Sequence, residues 1–149
     1  MAEFQLRSSA FEHGDPIPQA YSCEGDDRSP PLSWSGTPEG TRSLALIVDD
    51  PDAPPGTFVH WVGWGIDPSA AGLDEGEAPA FEGENGFERT GYGGPCPPPG
   101  HGRHRYFFHL NALDADPEVS SGADREELEK AIKGHVLGTA ELMGGYERS

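Results

Sequence analysis

Residues 91–106 read GYGGPCPPPGHGRHRY and cannot form a long helix, because glycine and proline interrupt the helical backbone every few residues. This loop runs directly into an aromatic-rich segment ending at Leu113, which is typical of a β-strand. Residues 49–61 (DDPDAPPGTFVHW) have the same arrangement, a loop rich in carboxylates and prolines followed by a strand. We predict that the two loops form the walls of one site and that the rest of the chain supports them.

The composition favours a loop-rich β domain. The chain has 21 glycines and 15 prolines, and only 34% of its residues are hydrophobic. Its apolar residues still gather in strand-like blocks, which disordered chains lack, and the length suits a single domain over residues 1–149. No apolar stretch is long enough to span a bilayer, and no signal peptide is recognisable. We therefore expect a cytoplasmic protein without stable membrane insertion.

The net charge is −16, from 26 acidic and 10 basic side chains. Such a chain is repelled by nucleic acid and by anionic membranes, so we expect neither as a bulk partner. An excess of acidic side chains also suits a salt-rich cytoplasm, because the Debye length falls to roughly 3 Å at 1 M salt and the repulsion between these side chains is screened. A halophilic source is our expectation, and ordinary acidic solubility is the alternative.

Cys23 and Cys96 are the only two cysteines. Neither belongs to a CxxC motif, which excludes a zinc knuckle. In a reducing cytosol we expect two buried thiols, with a disulfide or redox pair as the alternative.

Two long strands are predicted from the apolar pattern. Residues 43–48 (SLALIV) suit a strand buried on both faces, and residues 57–66 suit the next strand. Period-two alternation divides the second strand into two faces: His60, Val62, Trp64 and Ile66 on one, and Val59, Trp61 and Gly63 on the other. In the strand that ends at Leu113, one face carries His104, Tyr106, Phe108 and Leu110. Residues 4–11 and 29–34 are predicted to be extended, and residues 68–89 to be a solvated acidic loop.

One helix is predicted near the C-terminus. Apolar and small residues recur at helical spacing from Asp124 to Met143, and Asp124 with Glu127 forms a plausible capping box. Gly144 and Gly145 would end this helix. The expected fold is a mostly antiparallel β domain with one main C-terminal helix.

Polar side chains occur where the two loops meet their strands. Asp50 follows the first buried strand, His60 lies early in the next, and His104 and Tyr106 begin the aromatic strand. If these strands are neighbours, the side chains converge at one end of a sheet. Imidazole and phenol groups can donate to phosphate or carboxylate oxygens, whereas a carboxylate would orient a histidine or bind an ammonium group.

The backbone of the second loop offers further donors. Gly93 and Gly94 allow a ligand to approach closely, and their N–H groups can donate to an anion. Structural alternatives exist: Asp50 could cap the turn before Pro51, and His60 could be a core histidine. The remaining histidines, His13, His109 and His135, are interpreted as structural or surface residues.

Metal and nucleophilic chemistry are weaker hypotheses. Zinc would need His60, His101, His104 and a carboxylate, but these residues lack HExxH spacing, so we expect no metal. No serine lies in a GxSxG elbow, and Cys96 has no evident base, so we expect no catalytic residue. No cofactor is expected either.

Several motifs together resemble the phosphatidylethanolamine-binding protein family, most closely its bacterial and archaeal Raf-kinase-inhibitor-like branch. They are Asp50-Pro51-Asp52-Ala53-Pro54, His60-Trp61, residues 91–98 (GYGGPCPP), Gly100-His101-Gly102 and His104-Arg105-Tyr106. Residues 21–25 (YSCEG), 29–32 (SPPL) and 134–137 (GHVL) are also similar. The resemblance covers nearly the whole chain.

This resemblance implies a β-sandwich-like fold with a large central antiparallel sheet, a smaller second sheet and a C-terminal helix. It also implies a pocket for phosphate, phosphorylated headgroups or similar anions. Carried over by position, the ligand-binding residues are Asp50, Asp52, His60, Gly94, Pro95, His104 and Tyr106. Some members are homodimers, so a homodimer is a further expectation.

Three functions remain as hypotheses. The first is a non-enzymatic module that binds a small anion or phosphorylated ligand. The second is an inhibitor of a kinase or protease, acting on an unnamed protein target through the pocket rim. The third is a hydrolase that uses His60 with Asp50 as a base.

The halophile expectation predicts a salt-dependent stability. If self-repulsion among the 26 acidic side chains opposes folding, the urea midpoint should rise from low to molar salt. An unchanged midpoint would leave ordinary solubility as the reason for the acidic composition.

Overall fold

The computed structural model describes residues 3–54 and 56–148; residues 1, 2, 55 and 149 of the predicted domain lie outside them. The described residues form eight strands, one α-helix and a short 3-10 turn at Gln19–Tyr21. The strands are β1 Gln5–Arg7, β2 Leu32–Ser35, β3 Ser43–Asp50, β4 Phe58–Ile66, β5 Gly72–Leu73, β6 Phe81–Glu82, β7 His104–Leu113 and β8 Val136–Tyr146. The helix α1 is Arg125–Ile132.

The strands form two antiparallel sheets. The larger has the order β6-β4-β3-β7-β8, and the smaller has the order β1-β2-β5. β3 is the central strand, and all of its residues are buried, as its continuous apolar sequence predicts. The expected mainly-β fold, with a large central sheet, a smaller second sheet and one helix, is confirmed.

Apolar side chains fill both faces of the larger sheet. On one face, Leu46 and Phe108 belong to a buried cluster that also includes Trp34 of the smaller sheet. On the other face, Ile47 packs in a second cluster with Leu128 of α1. The larger sheet is therefore the middle of three layers, which explains why its central strand has no polar face.

The helix is shorter than predicted. Its capping box forms, with the Glu127 N–H donating to Asp124 Oδ1 at 3.0 Å, but the helix ends at Ile132. Gly134 then takes a φ of 85°, and the chain from Val136 pairs with β7. The prediction that the helix continues to Met143 is therefore wrong from Val136 onward. Buried positions in this segment also recur with period two, and the edge of β7 supplies the hydrogen-bond partners of a strand.

A β-bulge interrupts β4 at His60. Val48 pairs with Trp61 and Asp49 pairs with Val59, so His60 is an extra residue without a partner in the register. A bulge turns the side chain of the inserted residue relative to simple alternation. The imidazole of His60 therefore lies on the Trp61 side of the sheet.

The predicted faces of β4 are wrong for this reason. Trp61 and Ile66 belong to the cluster between the two sheets, whereas Val62 and Trp64 face the helix. A second irregularity, at Gly65 with a φ of 73°, returns Ile66 to the Trp61 side. A period-two pattern cannot reveal an inserted residue, since each bulge shifts the alternation by one position.

Two other predictions need correction. The expected strand over residues 4–11 is only the three residues of β1, and the acidic connection over residues 68–89 contains β5 and β6. By contrast, the shared face of β7 is confirmed by the burial of alternate residues from His104 to Leu110.

Among the described residues no helix has the length and apolar character needed to cross a membrane.

A partly buried ion pair holds α1 on the larger sheet. The Asp49 carboxylate accepts hydrogen bonds from Arg125 Nη1 at 2.6 Å and from His109 Nε2 at 3.2 Å. Burial by itself would raise the pKa of Asp49, but the hydrogen bonds and charges of His109 and Arg125 lower it below its ordinary value.

Asp49→Asn should lower the free energy of unfolding by about 2 kcal/mol at pH 7, since it leaves Arg125 with a weaker buried partner. A folded-state pKa that is depressed adds stability above the unfolded-state pKa of about 4 and loses it as the pH falls further. The difference between wild type and variant should therefore shrink below about pH 4 in urea titrations. Glu126→Gln, at an exposed pair with Lys130, is the control and should cost only a few tenths of a kcal/mol. Equal effects of the two variants would contradict the prediction.

Candidate ligand-binding site

A small cavity of about 220 Å³ lies where β3 ends and where β4 and β7 begin. Both predicted loops line it, one through Ala53 and Pro54 and the other through Cys96, Pro97 and Pro98. The remaining lining residues are Asp50, Phe58, His60, Phe87, His104 and Tyr106. A larger groove of about 600 Å³ lies between β1 and β8, but no polar side chain among its described lining residues is buried.

Asp50 is the last residue of β3 and is only 3% exposed. Its Oδ2 accepts a hydrogen bond from His104 Nδ1 at 2.7 Å, and its Oδ1 accepts one from the Asp52 N–H at 2.8 Å. Both roles suggested by the sequence are therefore present: Asp50 caps its turn and also orients a histidine.

His104, which is 2% exposed, uses both of its ring nitrogens within the protein. Its Nδ1–H donates to Asp50 Oδ2, since a carboxylate only accepts, and its Nε2 shares a hydrogen bond with His101 Nδ1 at 2.6 Å. The three side chains form a chain from buried Asp50 to exposed His101. His104 thus has no ring nitrogen left for a ligand in the cavity, and it positions its neighbours instead.

His60 is 4% exposed and is held by its ring Nδ1, which lies 2.7 Å from the carbonyl oxygen of Gly93. A carbonyl only accepts, so Nδ1 carries the hydrogen and Nε2 is the acceptor of the neutral ring. The ring packs among Phe58, Phe87 and the edge of Tyr106, with centroids 5.0 to 5.5 Å away. Burial lowers the pKa of His60, although the Gly93 carbonyl and the Asp50 charge act in the opposite direction.

The Tyr106 hydroxyl has no hydrogen-bond partner among the described residues, although the side chain is only 1% exposed. Burial, followed by the charge and the hydrogen-bonding reach of the nearby Asp50 carboxylate, raises the pKa of this hydroxyl above its ordinary value, so it is a donor at any physiological pH. The Asp50 oxygens do not meet hydrogen-bond geometry with it; they accept instead from His104 and the Asp52 N–H. An unpaired buried hydroxyl costs about 1–3 kcal/mol, which makes Tyr106 the clearest indication that another group completes the site.

The glycine amides of the second loop donate within the protein. The Gly93 N–H donates to the carbonyl of His60 at 2.9 Å, and the Gly94 N–H donates to Asp27 Oδ1 at 2.8 Å. Gly94 and Pro95 do not line the cavity, and a Cβ on Gly94 would lie 2.1 Å from the Tyr21 carbonyl oxygen. The two amides that were predicted to face an anion are thus used to pack the loop, and their role toward a ligand stays a prediction.

Asp52 also points away from the cavity. Its carboxylate accepts three hydrogen bonds from Arg105, each 2.9 Å long, one of them from the backbone N–H. The side-chain hydrogen bonds of Arg105 lower the pKa of Asp52 to about 2. Of the seven residues carried over from the family, the structure brings four to the cavity wall: Asp50, His60, His104 and Tyr106.

Sequence reasoning missed several wall residues. Phe58 and Phe87 lie against the His60 ring, and Phe87 comes from the acidic connection that was predicted to be solvated. His101, considered from the sequence as a possible zinc ligand and as part of a family motif, bonds His104. The sequence shows that His101 and His104 are three residues apart. It does not show that the backbone turns tightly enough between them for their rings to form a hydrogen bond.

Cys23 and Cys96 form a disulfide, with Cα atoms 5.4 Å apart. The expectation of two buried thiols is wrong, because the loop after the 3-10 turn lies against the proline-rich wall: the Cys23 N–H donates to the Pro95 carbonyl at 3.1 Å. The bond therefore ties this loop to a residue of the cavity wall, since Cys96 lines the cavity.

Removing the disulfide should destabilise the fold strongly. The bond closes a loop across a sequence separation of 73, for which the chain-entropy relation gives about 4 kcal/mol. Replacing both Cys23 and Cys96 by Ser should lower the free energy of unfolding in urea by this amount, and dithiothreitol should do the same to wild type. Dithiothreitol should not affect the double variant, and a reduced wild type as stable as the oxidised protein would contradict the prediction.

Comparisons with known proteins agree with one another. The sequence pattern described as phosphatidylethanolamine-binding protein matches residues 7–147. A UPF0098 protein of Pyrococcus abyssi is 49% identical over 95% of this chain and 84% of its own length. A UPF0098 protein of Methanothermobacter thermautotrophicus is 47% identical over 96% of this chain and 98% of its own.

Solved structures give the same result. A crystal structure of a phosphatidylethanolamine-binding protein homolog, CT736 of Chlamydia trachomatis, superposes with a TM-score of 0.94 at 42% identity and covers 100% of both chains. The structure of E. coli YbcL, described as a member of the mammalian family, superposes with a TM-score of 0.92 at 32% identity and covers 99% of this chain and 100% of that one.

Proposed function

Because this chain belongs to the phosphatidylethanolamine-binding protein family, we propose that its cavity binds a small anion, either phosphate or a phosphorylated headgroup, without transforming it. The observation that carries this proposal is the buried Tyr106 hydroxyl, which has no partner among the described residues. A phosphate oxygen placed against it would supply the missing acceptor.

His60 is the second donor or acceptor for such a ligand. Its Nδ1–H is committed to Gly93, which leaves Nε2 for the ligand. Because burial keeps the ring neutral, Nε2 accepts a hydrogen bond from a protonated phosphate oxygen or takes up a proton when the ligand binds. The site therefore favours the singly negative, more protonated form of a phosphate group, and its affinity for phosphate should fall as the pH rises through the second pKa of the ligand.

The rest of the cavity suits a small headgroup rather than a highly charged anion. The Asp50 carboxylate repels multiply charged ligands but can attract an ammonium group such as that of ethanolamine. Phe58, Phe87 and Pro97 provide apolar contact for short carbon chains. A cavity of about 220 Å³ is below the range of typical drug-sized pockets, which limits the ligand to a few heavy atoms or to the end of a larger molecule.

No observation on the described residues favours the alternatives. The hydrolase hypothesis needs Asp50 to act on His60, but Asp50 bonds His104 and His60 bonds Gly93. A kinase or protease inhibitor would need a protein target, and the surface of residues 3–54 and 56–148 identifies none. Homodimer formation and a cytoplasmic location stay predictions. The disulfide bears on the second of them, because disulfides persist mainly in oxidising compartments and, among cytosols, in those of hyperthermophiles.

Tyr106→Phe should separate binding from stability. It removes an unpaired buried hydroxyl, so the ligand-free variant should be about 1 kcal/mol more stable than wild type in urea. The same change removes a ligand donor, so calorimetry should show about tenfold weaker binding of phosphate and phosphoethanolamine. His60→Ala should also weaken binding.

Tyr92→Phe is the matched control. The Tyr92 hydroxyl donates to the Tyr21 carbonyl at 2.7 Å and lies outside the cavity. Its loss should destabilise the protein by about 1 kcal/mol and leave binding unchanged. Identical titrations of wild type, Tyr106→Phe and His60→Ala would remove the cavity as the binding site.

A further inference from the structure

A second depression, of about 470 Å³, lies on the outer side of His104. We call it the outer depression; its lining residues are Asp52, His101, Arg103, His104 and Arg105. His104 is the one residue among those described that lines both this depression and the inner cavity. The two spaces therefore meet at a buried imidazole.

Arg103 holds an unbalanced positive charge in the outer depression. No carboxylate of the described residues forms a salt bridge with it, although the chain has 26 acidic side chains. Its Nη2 donates to the Gly14 carbonyl oxygen at 2.6 Å. Its guanidinium lies against Gly145, where a Cβ would come within 2.0 Å of Nε. A glycine and a carbonyl thus hold this guanidinium in place without neutralising it.

The other charges of the depression are already balanced. Arg105 and Asp52 form a bidentate pair, which also saturates the Asp52 carboxylate with hydrogen bonds. Asp50 faces His104 from the inner side and is satisfied by it. An incoming anion would therefore meet Arg103 as a cation without a salt bridge, and the one carboxylate among the described lining residues, Asp52, is already paired with Arg105.

His101 provides a second polar contact at the same place. Its Nδ1 lies 2.6 Å from His104 Nε2, and the ring is exposed, so Nε2 is the ring nitrogen left for a ligand. This nitrogen can form a hydrogen bond with a phosphate group, which carries both oxygen acceptors and, when protonated, an O–H donor.

We propose that the outer depression is a second anion site, which binds a phosphate-type oxyanion between the guanidinium of Arg103 and the Nε2 of His101. The shared chemistry is a phosphate group with at least two free oxygens, since a guanidinium fork recognises such oxygens in pairs. This site is separate from the inner cavity and does not depend on ligand binding at Tyr106.

The test is a titration of the full chain with inorganic phosphate, followed by NMR of backbone and histidine side-chain signals. In wild type, signals of residues 101–105 should shift with their own binding curve, distinct from that of the inner cavity. Arg103→Gln and His101→Gln should each weaken this outer response by about tenfold or more, because the first removes the cation and the second removes the imidazole that contacts the anion. Arg42→Gln removes the same charge as Arg103→Gln just before β3, at the end opposite Asp50, and should leave the outer response unchanged.

Tyr106→Phe distinguishes this proposal from the proposed function. It should weaken binding at the inner cavity and leave the outer response intact. If Tyr106→Phe and Arg103→Gln weaken one common response equally, the residues serve one site and the second site is overturned. If Arg103→Gln behaves like Arg42→Gln, the outer site is also overturned, whatever happens at Tyr106.

A parallel titration separates the sources of the phosphate group. Glycerophosphoethanolamine is a diester and represents a lipid headgroup, whereas inorganic phosphate represents a free phosphate. Stronger shifts of residues 101–105 with inorganic phosphate would assign the site to free phosphate or monoesters, and stronger shifts with the diester would assign it to headgroups. Absence of shifts with both probes would overturn the site.

Discussion

Asp50 is a carboxylate removed almost entirely from water at the end of the central strand, and each of its oxygens accepts a hydrogen bond. The Asp52 N–H closes the turn of the first loop, and His104 Nδ1–H joins the carboxylate to the start of β7. A buried carboxylate without such partners would be costly, so the two loops and the two strands must keep this arrangement together. The inner cavity and the outer depression are the spaces left on either side of it.

Two further constraints hold the walls of the inner cavity, one at His60 and one at Cys96. The bulge in β4 turns the His60 imidazole toward Tyr106, and the Gly93 carbonyl fixes the orientation of that ring. The disulfide fastens Cys96 in the opposite wall. A site built in this way is largely formed before a ligand arrives, so binding loses little additional conformational entropy.

Charge is distributed unevenly over this protein. A net charge of −16 repels anions from most of the surface, yet the end of the sheet near Asp50 collects His101, Arg103 and Arg105. Long-range repulsion is screened within about 10 Å at 0.1 M salt, so a local cation can still select an anion that reaches it. The donor without a partner at Tyr106 and this local charge lie at the same end of the fold, which is where both proposed ligand sites are.

The sequence alone was enough to predict the mainly-β class, the two long central strands, the capping box and the two loops that line the cavity, because these follow from local apolar patterns and from glycine and proline chemistry. It also indicated His60 and Tyr106, since the motifs around them resemble one family. Only the tertiary structure decided that residues after Val136 form a strand, that Cys23 reaches Cys96, and which hydrogen bonds occupy the glycine amides. Each of these depends on partners distant in sequence, whose free energy outweighs local preference.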